Sequence, residues 1–170
     1  MASPKSEGTE MADTSDSTAN ALGRVASGLY IVTTGTGGEA TGFLGSWVMQ
    51  AGFEPPAVTV AVHRDRAVLS ALRETGHFCV SILSPSSMNL LGHFAKGFKP
   101  GEDAFEGLDI ALAASGVPYL TAAHAHLSCK IIGESEWSDH VVLCGQVVAG
   151  DCAGFDEDPA IHIRKNGKSY

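Results

Sequence analysis

Basic residues are scarce in this chain: 11 Lys+Arg stand against 19 Asp+Glu, a formal net charge of −8. That balance argues against general nucleic-acid binding, which needs a broad basic surface. No apolar run is long enough to cross a membrane. The opening stretch MASPKSEGTEMADTSDSTAN lacks the apolar centre of a secretory signal, and its acids set it apart from a basic organelle transit peptide. There are four cysteines, Cys79, Cys129, Cys144 and Cys152, with no CxxC pair. Disulfide and metal frameworks are therefore disfavoured, and buried free thiols in a reducing compartment are expected. No glycine-rich dinucleotide fingerprint is present either. His124 and His126 would share one face of a strand, but no third ligand has suitable spacing.

What is present is an ordinary globular composition, 44% hydrophobic and 18% charged, with 20 glycines. The length suits one domain with a sizeable core. Residues 1–20 read as a disordered polar and acidic tail or linker, and residues 21–170 as the folded domain. ASGLYIVTTG is rich in β-branched and aromatic residues and ends in a turn-forming GTGGE. ATGFLGSWVMQ is expected to pair back as a second strand, and AGFEPP to break the chain. In AVTVAVH, Val58, Val60 and Val62 share one face; Ala57, Thr59 and Ala61 share the other. RAVLSALRE has a helical apolar face, with Asp65 as the expected N-cap.

HFCVSIL, AAHAHLSCKIIGESEW and HVVLCGQVVAGDC follow as strands, and SPSSMNLLGHFAKGF as a short helix running into a loop. The total is about seven strands and two or three short helices, a mostly β barrel or sandwich. VVLCGQVV is apolar on both faces apart from Gln146, so helices or a second copy must cover its outer side. A homodimer is expected on that ground.

Two of the few arginines flank one turn, His63-Arg64-Asp65-Arg66, between a strand and a helix. Unpaired N–H groups, a helix dipole and two guanidinium groups suit a phosphate. A solvated turn with a surface ion pair is the other reading of the same residues.

The ordered run GFLGSWVMQAGFEPPAVTVAVHRDRAVLSALRETGHFCVSIL resembles the flavin-reductase-like family with an FMN-binding split barrel. HFA at His93–Ala95, GVPYL at Gly116–Leu120, SDHVVLCGQV and the closing HIRKNGKSY extend the resemblance from about Ala21 to Tyr170. ALGRVASGLYIVTT, SWVMQA and RKNGKSY are similar to the C-terminal flavin-reductase module of the diflavin flavodiiron proteins of oxygenic phototrophs. Two departures stand out. The chain contains neither iron-binding nor flavodoxin segments, and Arg64 and Arg66 replace the Ser/Thr common in the family's phosphate turn.

The resemblance implies a split β-barrel homodimer with short inserted helices that binds FMN, with FAD as the alternative flavin. It places the flavin phosphate on Arg64, Arg66 and the N–H of Ala67. The polar ring edge falls to Leu44, Gly45, Ser46 and Trp47, where Gly45 allows close backbone approach and Ser46 can donate a hydrogen bond. Gln50 would reach the ribityl chain or ring. Trp47 and the loop Phe94-Ala95-Lys96 would cover the ring face. His140 and Ser46 are the catalytic candidates, His140 beside an open face where NADH or NADPH delivers hydride. Each also has a plain structural role: a strand residue for Ser46, core packing for Phe94, a hairpin turn for His140.

The implied function is an NAD(P)H:flavin oxidoreductase passing electrons to a flavin, a flavoprotein or a metal centre, with a flavodiiron or other redox protein as partner. A non-enzymatic FMN electron-transfer module and a cofactor-free dimerisation barrel are the rival readings. The expected location is cytoplasmic, or the chloroplast stroma in a eukaryotic phototroph.

Overall fold

A computed structural model describes residues 14–168. These fall into two compact units, 27–162 and a smaller one formed by 14–26 with 163–168. In the smaller unit the helix α1 (Thr14–Gly23) buries Ala19, and Arg24 donates to the carbonyl of Arg164. The tail expected over residues 1–20 thus enters a helix at Thr14, while residues 1–13 lie outside the described residues.

The larger unit is built on one antiparallel sheet in the order β3-β2-β6-β9-β10-β5-β4. Its strands are β2 (Tyr30–Thr34), β3 (Thr41–Gly45), β4 (Val48–Phe53), β5 (Pro56–His63), β6 (His77–Ile82), β9 (Ala125–Glu136) and β10 (His140–Cys152). Short pairs, β1 (Ser27–Gly28) with β11 (Ile161–His162) and β7 (Ile110–Leu112) with β8 (Pro118–Leu120), complete the strands. Helix α2 (Val68–Thr75) follows β5, and α3 (Asn89–Ala95) follows β6. The fold is mostly β with short inserted helices, as expected. The sheet is not closed: β3 and β4 are its two edges, joined through Ser46 and Trp47 but not paired.

Strand alternation explains the core. Val58, Val60 and Val62 of β5 are buried, whereas Thr59 and Ala61 on the opposite face are half-buried. The inward set joins Val32, Phe43, Phe78, Val80 and Leu143, and α2 adds Leu69 and Leu72. A second cluster lies under α3, where Leu90 and Phe94, four residues apart, pack with Ile31, Leu83 and Leu120. Adjacent Ile31 and Val32 are both fully buried because β2 is covered on both faces. Gly145 is needed opposite Phe78: a Cβ there would lie 2.6 Å from the ring's Cε1.

Two local expectations are corrected and one is refined. The segment 40–50 is not one strand; it changes from pairing with β2 to pairing with β5 at Ser46-Trp47. AGFEPP breaks the strand as expected, at Glu54-Pro55, although its first three residues still belong to β4. β4 runs to Phe53, the chain turns at the cis Glu54–Pro55 bond, and Pro56 opens β5, where a missing N–H is tolerated. Asp65 does not cap α2. The cap position is Ala67, which has no side-chain acceptor, and Asp65 sits in the preceding turn with its N–H donated to His63 Nδ1 at 3.2 Å.

Candidate flavin site

The His63–Ala67 turn is fixed from two sides. Arg66 N–H donates to the His63 carbonyl and Arg64 N–H to the Asp139 carbonyl, both at 3.0 Å. Both arginines are exposed, and among the described residues neither guanidinium meets a carboxylate. Asp65 pairs instead with His63, at 3.8 Å. An ion pair between either arginine and Asp65 is not formed among the described residues. Arg66 lies over the Phe43 ring, 5.2 Å from its centroid, which holds the guanidinium at the mouth of a cavity without neutralising it.

That cavity, about 270 Å³, lies between β3, α2 and the loop 97–102. Thr41, Phe43, Arg66, Ser70, Glu74 and Lys99 are among its walls, and Ala67 at the helix start is another. Arg64 is not. Loop and turn meet here, since a Cβ on Gly97 would lie 3.8 Å from Arg66 Nη2.

The second part of the site is the seam between the sheet edges. Trp47 accepts the Ala61 N–H at 3.0 Å, which seats it beside β5. Its ring lies 4.6 Å from that of His140, centroid to centroid. His140 faces His63 across the β5–β10 ladder, their rings 5.1 Å apart. His140 Nδ1 sits 2.7 Å from Asp139 Oδ1, which also accepts from the Ser138 hydroxyl at 2.9 Å. These hydrogen bonds, that of His140 first, hold the Asp139 carboxyl below its ordinary range. The carboxylate thereby fixes the imidazole's orientation. Ser46 is half-buried in the same connection, and Gly45, buried, would bring a Cβ within 3.2 Å of Val32.

The remaining candidates are dispersed. Leu44 packs against the α3 core cluster and pairs with Ile31 of β2. Gln50 is exposed on β4 and turns back to the Gly52 carbonyl at 3.4 Å. Phe94 does not cover an open surface; it is fully buried, held by the helical spacing that points it inward with Leu90. Ala95 is exposed, and Lys96 lies over the Phe98 ring at 5.3 Å. Sequence reasoning missed His63, Phe43 and the cavity wall of Thr41, Ser70 and Glu74. His63 could have been found from its place in the turn, but Phe43 is an ordinary core residue in the sequence.

An unneutralised guanidinium, a helix start, edge-strand backbone and an aromatic seam fit an anionic ligand with a flat ring. In that arrangement Arg66 and Ala67 could hold a phosphate, and Ser46, Trp47 and His140 the ring.

A family model described as "Flavin reductase like domain" matches residues 22–169. "Diflavin flavoprotein A 1" of Synechocystis sp. is 41% identical over 151 residues, 88% of this chain and 26% of that protein. "Putative diflavin flavoprotein A 3" of Nostoc sp. is 36% identical over the same shares. The chain thus spans about a quarter of the length of these relatives. Among solved structures, the NADH:FAD oxidoreductase of Streptomyces globisporus C-1027 superposes with a TM-score of 0.79 at 26% identity, covering 97% of this chain and 96% of that one. The native-state flavin reductase PheA2 has a TM-score of 0.72 at 24% identity, covering 89% and 93%, a likeness of fold alone. The chain belongs to the flavin reductase-like family.

Proposed function

We propose that this flavoprotein domain is an NAD(P)H:flavin oxidoreductase that delivers electrons onward to a flavin, a flavoprotein or a metal centre. The observation that carries the reading is Arg66: charged, without a carboxylate partner among the described residues, and held in the turn before α2 by its N–H on the His63 carbonyl. In this reading Arg66 and the Ala67 N–H bind the flavin phosphate, with Arg64 adding positive potential. The Ser46 hydroxyl and the backbone of Leu44 and Gly45 bind the polar ring edge. When bound, the flavin supplies the two-electron acceptor for a hydride leaving nicotinamide C4. Trp47 walls the site, and His140, clamped by Asp139, orients the nicotinamide on the open side. No proton relay is needed for that role.

A homodimer accords with the outer face of β4, β5 and β10. Met49 pairs with Thr59 on that face and is 65% exposed. Sedimentation at a single chain's mass would refute it. No helix among the described residues is long and apolar enough to cross a membrane. We place the domain in the cytoplasm or stroma, serving a redox partner such as a flavodiiron protein.

Stopped-flow mixing of the flavin-loaded protein with NADH and NADPH tests the enzyme reading. Rapid bleaching of the flavin absorbance by either nucleotide is expected. Bound flavin that neither nucleotide reduces would identify an electron-transfer module instead.

A further inference from the structure

His63 joins the two parts of the site. It ends β5 directly opposite His140, which opens β10, and their rings meet edge-on with centroids 5.1 Å apart. Trp47 lies 4.6 Å from the same imidazole. Only 11% of the His140 side chain is exposed, so its neighbours enclose it. The contact with Asp139, at 2.7 Å, holds one ring atom, Nδ1. A ring held at one atom can still swing, and the flanking ring of His63 restricts that swing.

His63 also holds the turn. Its carbonyl accepts the Arg66 N–H at 3.0 Å, and its Nδ1 accepts the Asp65 N–H at 3.2 Å. A backbone donor at Nδ1 leaves the neutral ring with its proton on Nε2. The Nδ1 contact reaches two residues on, as in an Asx-turn, where an asparagine oxygen is the acceptor. Acceptor and ring are therefore separable by substitution.

We propose that His63 is a positioning residue with two tasks. Its ring orients the His140 imidazole towards the nicotinamide, and its Nδ1 braces the arginine turn that holds the phosphate. The inference rests on the flavin-reductase reading for what His140 and Arg66 bind.

Two substitutions divide the tasks. His63→Asn keeps an acceptor for the Asp65 N–H and removes the ring. His63→Phe keeps a ring against His140 and removes the acceptor. Proton NMR of the full chain without flavin comes first. His63→Asn should displace the His140 ring signals while the core methyl signals stay in place. In the flavin-loaded protein, His63→Asn should slow flavin reduction by NADH or NADPH about tenfold, with the flavin Kd within about twofold of wild type. His63→Phe should do the reverse, raising the flavin Kd about fivefold and leaving the rate at saturating flavin within about twofold. His63→Asn should add nothing to His140→Ala, because a positioning residue has no effect once its target is gone. Equal losses in both variants, full additivity with His140→Ala, or unmoved His140 signals would overturn the proposal. If the wild type takes up no flavin, or neither nucleotide reduces its flavin, the flavin-reductase reading fails and the His140 signals alone decide. Displaced in His63→Asn, they support the positioning; unmoved, they overturn it.

Discussion

Arg66→Ala is the sharpest perturbation of the phosphate site. Among the described residues the guanidinium has no carboxylate partner to lose, so its removal leaves no buried orphan charge there. Two interactions disappear. The first is the cation–π contact with Phe43, worth about 0.5–1 kcal/mol at an exposed site. It is lost with and without ligand, so it lowers stability rather than affinity. The second is the charge-assisted contact with the phosphate, about 1–3 kcal/mol. That corresponds to a rise in flavin Kd of about 5- to 150-fold. Arg66→Lys should fall between, since it keeps the charge but not the bidentate fork. Titration followed by flavin fluorescence at two salt concentrations measures the second. The gap between wild type and variant should narrow at higher salt, as expected of an exposed cation. A Kd unchanged by Arg66→Ala at either salt concentration would remove the phosphate from this turn and refute the reasoning.

Ser46→Ala should shift the bound flavin's spectrum or its reduction rate while moving the unfolding midpoint little, because Ser46 is only half-buried; a change in thermal stability alone would make Ser46 structural. Gly145→Ala should cost about 1–3 kcal/mol by overpacking, measured by urea unfolding, since its Cβ would press on Phe78 and Cys129. Burial pushes the thiol pKa of Cys79 up to about 11 and that of Cys129 to about 12, whereas Cys152 is exposed. A thiol reagent at neutral pH should therefore label Cys152 first, and reach Cys79 and Cys129 only on unfolding. Labelling of all four at one rate in the folded protein would contradict the core described above.

The strands were legible where one face is buried. The alternation in AVTVAVH and the long apolar run of β10 both appear as read, because side-chain period and burial agree there. The passage from β3 to β4 was not legible. Ser46 and Trp47 are acceptable strand residues, and the chain leaves one sheet edge for the other through tertiary pairing rather than local breakers. The start of α2 was misplaced for a related reason: Asp65 is a good cap by type, but the His63–Arg66 turn uses that position and the helix begins later. In the site, the arginine turn could be singled out from charge scarcity alone. The stacking of His63, His140 and Trp47 could not, because it depends on the β5–β10 register between distant segments. Phe94 was read as ring cover, whereas its spacing from Leu90 already described the buried helical face that the structure shows.

The visible spectrum of the purified chain, before and after addition of FMN or FAD, tests the central claim most directly. The account predicts a yellow protein with flavin bands that survive gel filtration at stoichiometric occupancy, and reduced occupancy in Arg66→Ala. A folded protein that stays colourless after incubation with either flavin would contradict it.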